Sequence, residues 1–286
     1  MQVALAAEAG EKLVEDLLVL DVPSRVRLGP FLLTRKLASA ALAERWVALH
    51  ERAMTSHVVY RFGSSTSSPF VVEREDFLAT MERAATLNHS HILKIEHYDF
   101  DESGRPYCVV PFTGDRDGLL NLGQLLRHKG GMLSLEEAKR AAEQVLSAIA
   151  YAHNLGCPHG PLGMDEILVD RHGSLKLELY AVSRMLGHPE NDASEQQRRE
   201  VQTSMAIVYQ LLTGLRYEEP LIRPGRVIAG LHKSWDDLFE TGLGEPGFAS
   251  GAHALAALRA CRTEPVTRLL SLDRMRSAMQ RAMWAG

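Results

Sequence analysis

The sequence predicts an α+β protein, with a β-rich first third containing one helix and a helical remainder broken by one small hairpin. Three observations carry this. From Phe31 to about Phe62 the chain is a series of short β-like runs, LGPFLLTRKL, ERWVALHE and SHVVYRF, separated by small or polar residues in the manner of consecutive antiparallel hairpins. After Gly114 the period changes: Ser134 and Glu137 form a capping box, and Leu135, Ala138, Ala142, Val145, Leu146 and Ile149 then mark one apolar helical face reaching about His153. Within that helical part ILVDRHGSLKLEL, at 167–179, alternates Leu175, Leu177 and Leu179 behind a turn containing Asp170 and Gly173.

The remaining elements follow in order. Residues 1–20 set Leu13, Val14, Leu17 and Leu18 against Glu11, Lys12, Glu15 and Asp16, a short amphipathic helix expected to dock on the body of the protein. Its acidity argues against a membrane-surface role, and Pro23 ends the pattern. SSTSSP at 64–69 reads as a solvated linker and residues 71–88 as helical; KIEHYDF and GRPYCVVPF, within 94–112, read as a hairpin turned by Asp101, Ser103 and Gly104. VQTSMAIVYQLLTG is nearly all apolar and closed by Gly214, which predicts a core helix. There is no internal repeat.

Composition narrows the function classes. With 286 residues, 45% hydrophobic and 24% charged, the chain is long enough for two core-bearing lobes. The 32 Lys+Arg against 36 Asp+Glu leave a net charge of -4, so no nucleic-acid partner is expected. The start carries Glu8 and Glu11 and no basic residue before Lys12, unlike a secretory signal. No stretch reaches the roughly 20 apolar residues of a membrane helix. Cys108, Cys157 and Cys261 are odd in number and lack CxxC spacing, which argues against a disulfide framework or structural zinc and for a reducing, cytoplasmic setting.

Longer strings carry a resemblance to bacterial Ser/Thr protein kinases. LNHSHILKIEHYDFDESGRPYCVVPFTG resembles their segment from the end of the N-lobe helix through the hinge, and LSLEEAKRAAEQVLSAIAYAHNLG resembles the first long C-lobe helix. PHGPLGMDEILVDRHGSLKLELYAVSR falls where the catalytic loop, its hairpin and the DFG motif would be. VQTSMAIVYQLLTG resembles the central C-lobe helix, and EPVTR at 264–268 resembles the Asp-Pro-x-x-Arg turn. The resemblance implies a bilobal protein kinase-like fold: a helical extension over 1–27, an N-lobe over 28–112, and a C-lobe over 113–286 with a shortened activation segment ending at Gly187-His188-Pro189-Glu190.

Against that family the parts for phosphoryl transfer are missing. The phosphate-covering stretch LASAALAER has no glycine. The VAIK lysine corresponds to Arg61, and its glutamate partner on the N-lobe helix falls on Thr80, leaving Glu75 and Glu82 as partners only if the helix is turned or shifted. His159 is retained, but the HRD aspartate falls on Pro161, the loop lysine on Gly163 and the magnesium-binding asparagine on Glu166. DFG becomes Leu179, Tyr180 and Ala181, removing the principal metal carboxylate.

Four sharper readings stand beside bland ones, and for Arg61 a phosphate-ligand role stands beside that of a structural ion-pair partner, the commoner fate of this position in such proteins. Cys157 and His159 suggest a thiolate and its base, but the resemblance makes His159 a packed core residue. His89 and His91 have metal-ligand spacing, yet LNHSHI matches a kinase loop in which the first histidine caps local backbone. Asp165, Glu166 and Glu178 offer carboxylates for a cation, or are solvent-facing acids. The expectation is therefore a catalytically inactive pseudokinase, a scaffold or allosteric regulator that binds an unidentified protein, with no cofactor or metal, no nucleic acid, no membrane and no ATP binding. The alternative is an atypical nucleotide- or metal-binding phosphotransferase using Glu166, Glu178 and Arg61 in altered roles. Two structural contacts are expected: His159 packed near Tyr180, and an ion pair between Glu190 and Arg268.

Overall fold

The computed structural model describes residues 26–38, 43–63, 73–114, 118–182 and 193–263. The expected helix over 1–20, the loop at 64–69, the segment 187–190 and the turn at 264–268 lie outside the described residues, and with them the Glu190 and Arg268 pair.

The β-like runs form one antiparallel sheet. Its strands are β1 (Arg27–Leu28), β2 (Phe31–Lys36), β3 (Ala43–His50), β4 (Thr55–Phe62), β5 (His97–Phe100) and β6 (Pro106–Pro111), in the spatial order β1-β2-β3-β4-β6-β5. Alternation along β4 separates two layers. Val58, Tyr60 and Phe62 join Phe77, Met81 and Ala84 of helix α1 (Arg74–Ala85) in one buried cluster, while Val59 joins Phe31, Leu33, Ala48, Tyr107 and Val109 on the opposite face. Phe77 fixes α1: its ring meets Phe62 at 5.6 Å and Phe100 at 5.3 Å between centroids. Its full burial contributes about 1.5–3 kcal/mol. The β5–β6 turn forms where expected, with the Asp101 carboxylate accepting from the backbone N–H groups of Ser103 and Arg105.

The second part is helical, with β7 (Leu120–Asn121), β8 (Ile167–Val169) and β9 (Leu175–Leu177) as a small sheet beside α2 (Leu122–His128) and α3 (Leu135–Asn154). The capping box at the head of α3 is present, Ser134 N donating to Glu137 Oε2 at 3.0 Å and Glu137 N to Ser134 Oγ at 3.3 Å. Its apolar face packs on α4 (Ala193–Thr213) and α7 (Gly251–Ala260). Gly251 permits the latter contact, because a Cβ there would lie 2.7 Å from the Ala150 nitrogen. The core helix begins eight residues before the apolar string predicted it, at Ala193, and ends at Gly214 with φ of +74°. Helices α5 (Pro224–Val227) and α6 (Ser234–Leu243), which sequence periodicity did not single out, complete the lobe together with α7. Backbone joins the two parts: Leu177 N donates to His91 O at 2.8 Å and Leu93 N to Leu177 O at 2.9 Å. No helix among the described residues is long and apolar enough to cross a membrane.

Candidate functional site

The cleft between sheet and helices is lined from above by the inner faces of β3 and β4. Strand register pairs Arg45 with Tyr60 and Glu44 with Arg61, so Tyr60 and Arg45 share the inner face and Arg61 points to the other. This corrects the alignment of Arg61 with the cleft lysine and the phosphotransferase role that rested on it, and agrees with Arg61 as a structural ion-pair partner. Being one residue off in a strand moves a side chain to the opposite face, and there Arg61 bonds Asp101 at 2.5 Å. Glu75 and Glu82 are exposed on α1, so neither replaces that partner. Thr80, where the resemblance expected a glutamate, is buried.

Below the inner face stands Glu178, 4% exposed. Arg45 Nη1 donates to its Oε1 at 3.1 Å and its Oε2 at 3.3 Å, and the Tyr60 hydroxyl donates to Oε1. Arg45 is further held by its Nε donating to Ala38 O at 2.7 Å. Burial raises the Glu178 carboxyl above its ordinary range although Arg45 and Tyr60 oppose this. Burial, then Glu178, pushes the Tyr60 phenol well above its usual value. The three side chains thus bridge the two lobes through the cleft. Leu179 follows, buried, with φ of +45°, and Ala181 has φ of +67°. Left-handed backbone costs a non-glycine residue about 1–2 kcal/mol, so surrounding packing holds this turn.

The catalytic-loop positions are engaged in structural contacts. Pro161 carries no carboxylate, and Gly163 no side chain. Glu166 Oε2 accepts from Gly163 N at 2.8 Å, and its Oε1 lies 3.5 Å from His159 Nε2. Burial pushes the Glu166 carboxyl up, but His159 and the Gly163 N–H outweigh it and the net shift is downward. Asp165 accepts from Asn121 Nδ2 at 3.0 Å. The three carboxylates proposed for a cation therefore have separate partners, and among the described residues no group of three His, Cys, Asp or Glu is placed to hold a metal. Nor do His89 and His91 form a site: His89 Nδ1 accepts from His91 N at 3.1 Å, and His91 Nδ1 lies 2.9 Å from Leu175 O. A Cys157–His159 dyad is absent too, because His159 Nδ1 accepts from Ala181 N at 2.9 Å and Nε2 faces Glu166.

His159 and Tyr180 stack with centroids 5.0 Å apart and are both buried. What binds them is a residue that sequence reasoning passed over. Glu200 on α4, fully buried, accepts through Oε2 from His159 N at 2.7 Å, Gly160 N at 3.3 Å and His153 Nε2 at 3.1 Å, and through Oε1 from the Tyr180 hydroxyl. His153 is oriented in turn by accepting from Gly251 N at 3.2 Å. Signals for both missed residues existed. Glu200 is an acid immediately preceding a nearly all-apolar helical string, and Arg45 alternates onto the inward face of a predicted strand. Either placement demands a buried partner.

This architecture, with its cleft on one side and buried hub on the other, has clear relatives. The sequence model described as "Protein tyrosine and serine/threonine kinase" matches residues 56–208. A testis-specific serine/threonine-protein kinase 5 of Mus musculus is 26% identical over 177 residues, covering 56% of this chain and 47% of the relative. CBL-interacting protein kinase 17 of Oryza sativa subsp. japonica is 27% identical over 108 residues, 37% of this chain and 22% of its own. The chain thus spans less than half the length of these curated relatives. Among solved structures, the Mycobacterium tuberculosis PknI kinase domain superposes with a TM-score of 0.65 at 16% identity, over 83% of this chain and 98% of that one. On fold and sequence together, the chain belongs to the protein tyrosine and serine/threonine kinase family, in the bilobal α+β form of its kinase domain.

Proposed function

We propose that this kinase-family chain transfers no phosphate and works as a pseudokinase, a scaffold or allosteric regulator for another protein. The observation that carries the reading is the Arg45–Glu178–Tyr60 bridge, which ties the sheet to the helical lobe across the cleft through a buried carboxylate that would repel phosphates brought beside it. The donor set does not fit magnesium and ATP. Leu179 has no oxygen ligand, Glu166 is committed to Gly163 and His159, and Arg61 lies on the far side of the sheet with Asp101. Pro161 offers no base, a loss that alone typically costs about 10²- to 10⁴-fold.

The test is a thermal-shift titration with ATP, with and without Mg²⁺ or Mn²⁺. A ligand at 100 times its Kd adds about 2.7 kcal/mol of stability. No shift at millimolar nucleotide is the expected outcome. Saturable stabilisation by Mg-ATP, accompanied by phosphate release or autophosphorylation, would overturn the reading.

A further inference from the structure

Between α1 and β5 the chain carries His89, Ser90 and His91, in a loop held from two sides. Asn88 N donates to the Tyr151 hydroxyl of α3 at 3.1 Å, and the His89 ring stacks on Tyr151 with centroids 5.2 Å apart. On the other side His91 Nδ1 lies 2.9 Å from Leu175 O, and Lys176 Nζ of β9 donates to Ser90 O. Two imidazoles, with ring centroids 5.6 Å apart, and one ammonium are thereby fixed beside the Ser90 carbonyl.

The contacts that withdraw both histidines from metal binding also decide what their outer ends offer. A carbonyl can only accept, so His91 Nδ1 carries the hydrogen and Nε2 of the neutral ring presents a lone pair. His89 Nδ1 accepts from His91 N, so its hydrogen is on Nε2. Neither Nε2 has a partner among the described residues, and neither is sealed from solvent. Lys176 keeps further N–H groups to give. Negative charge is lacking here. Burial, then His91 and Lys176, push the His89 imidazole below its ordinary pKa, and no carboxylate opposes them. Among acids on the neighbouring elements, Asp170 is spent on His172 N at 2.9 Å and Ser174 N at 2.8 Å. Glu82 on α1 and Glu96 before β5 are exposed, the latter beside His57, and Glu143 stands about two turns before Tyr151 on α3. Arg83 and Lys94, on either side of the loop, are exposed and basic.

We propose that His89, His91 and Lys176 form a site for a phosphate monoester, bound as the dianion with uptake of a proton from solvent at His91 Nε2. Three outward groups suit a tetrahedral oxyanion, whereas a planar carboxylate would meet two of them. Lys176 supplies the standing charge and His89 a neutral donor. His91 donates only once protonated, so ligand and proton bind together. The open outer side leaves room for the ester group, and no bond of the ester is made or broken. No cleft residue takes part, so the inference stands apart from the pseudokinase reading.

The experiment is calorimetric titration of the intact chain at slightly alkaline pH and constant ionic strength, in two buffers of different ionisation enthalpy. The probes are N-acetyl-phosphoserine amide, its unphosphorylated serine counterpart and inorganic phosphate. Both phosphates should bind saturably with uptake of about one proton, and the serine amide should not bind. His91→Asn keeps an amide N–H for Leu175 O but cannot take up a proton; it should lose the uptake and about tenfold in affinity. Lys176→Gln keeps a donor for Ser90 O and should weaken binding about tenfold while the uptake persists. Arg171→Gln, in the exposed β8–β9 turn, should change neither, and thermal unfolding checks that each variant is folded. Absence of saturable binding, equal binding of the serine amide, or affinity and proton uptake unmoved by both site variants would overturn the site. Inorganic phosphate bound with the ester refused would overturn the monoester assignment.

Discussion

Glu178 in the cleft and Glu200 in the helical lobe are both buried carboxylates that accept a tyrosine hydroxyl, yet they are satisfied in different ways. Glu178 leans on one cation, Arg45, whose side chain is 13% exposed, and its pKa is raised. Glu200 has no arginine or lysine partner among the described residues and is held by two backbone amides, a histidine and a phenol from three parts of the chain. The first is an ion pair spanning a seam between lobes, the second a hub inside one lobe. The lesson is that the seam is made wholly by side chains, whereas half of the hub's donors are backbone and belong to the fold itself.

The hub should be the costlier to break. Glu200→Ala strands four donors in a dry interior and should cost about 3–5 kcal/mol in denaturant unfolding; should the variant not fold, Glu200→Gln should still lose about 2 kcal/mol, since the amide –NH2 that replaces one carboxylate oxygen faces donors it cannot accept from. A loss under about 1 kcal/mol would end the comparison. Glu178→Ala should cost less, about 2 kcal/mol, because Arg45 retains the Ala38 carbonyl and a route to water.

Acidity sharpens the contrast. Because the folded pKa of Glu178 is raised, the folded protein keeps a proton that the unfolded chain has lost above 4.5. Stability therefore falls as pH rises from 4.5 to the folded value and is level beyond it. Glu178→Gln should abolish that fall. Glu166 has the opposite sign: its folded pKa is lowered, so its contribution is present above 4.5 and lost as pH drops through the folded value. Stability curves of the wild type and Glu178→Gln that run parallel across this range would refute the assignment.

The tyrosines offer a finer comparison. A hydrogen bond to a charged group is worth about 1.5–3 kcal/mol. Tyr180→Phe should fall within that range, since Glu200 Oε1 has no other partner among the described residues, and Tyr60→Phe below it, since Glu178 retains Arg45. Reversal of that order would show the cleft to be the tighter site. Smallest of all, Arg61→Gln should cost about 1 kcal/mol and leave nucleotide titrations unchanged, because its partner Asp101 keeps Ser103 and Arg105.

Much of this was legible beforehand, for physical reasons that can be named. The capping box at Ser134, the alternation of Leu175 and Leu177 and the turn at Asp101 are local codes, read from neighbours in sequence, and each stands where it was placed, although the strand ends at Leu177 and Leu179, expected to continue it, turns away with φ of +45°. Arg61 was misplaced because strand faces depend on a register that a four-residue motif does not determine, so VVYR puts Tyr60 rather than Arg61 in the cleft. Arg45 and Glu200 were overlooked because their partners are distant in the chain, 133 residues away for Glu178 and 40 or more for His153 and His159. Helix α5 is a single turn, too short to show a period, whereas α6 does carry one, burying Trp235, Leu238, Phe239 and Leu243 against α4, and that signal was missed.

The separation of Arg45 from Glu178 has a kinetic consequence. Bringing together residues 133 positions apart carries a large loop-closure entropy, and each lobe can gather its local hairpins and helices without it. The contact should therefore be among the last to form and the first to open. Its removal should accelerate unfolding in proportion to the stability lost while leaving the refolding rate nearly unchanged, a pattern read directly from the two limbs of a denaturant chevron. By that measure the seam acts as a brake on opening, setting how long the two lobes stay joined rather than how quickly they find one another.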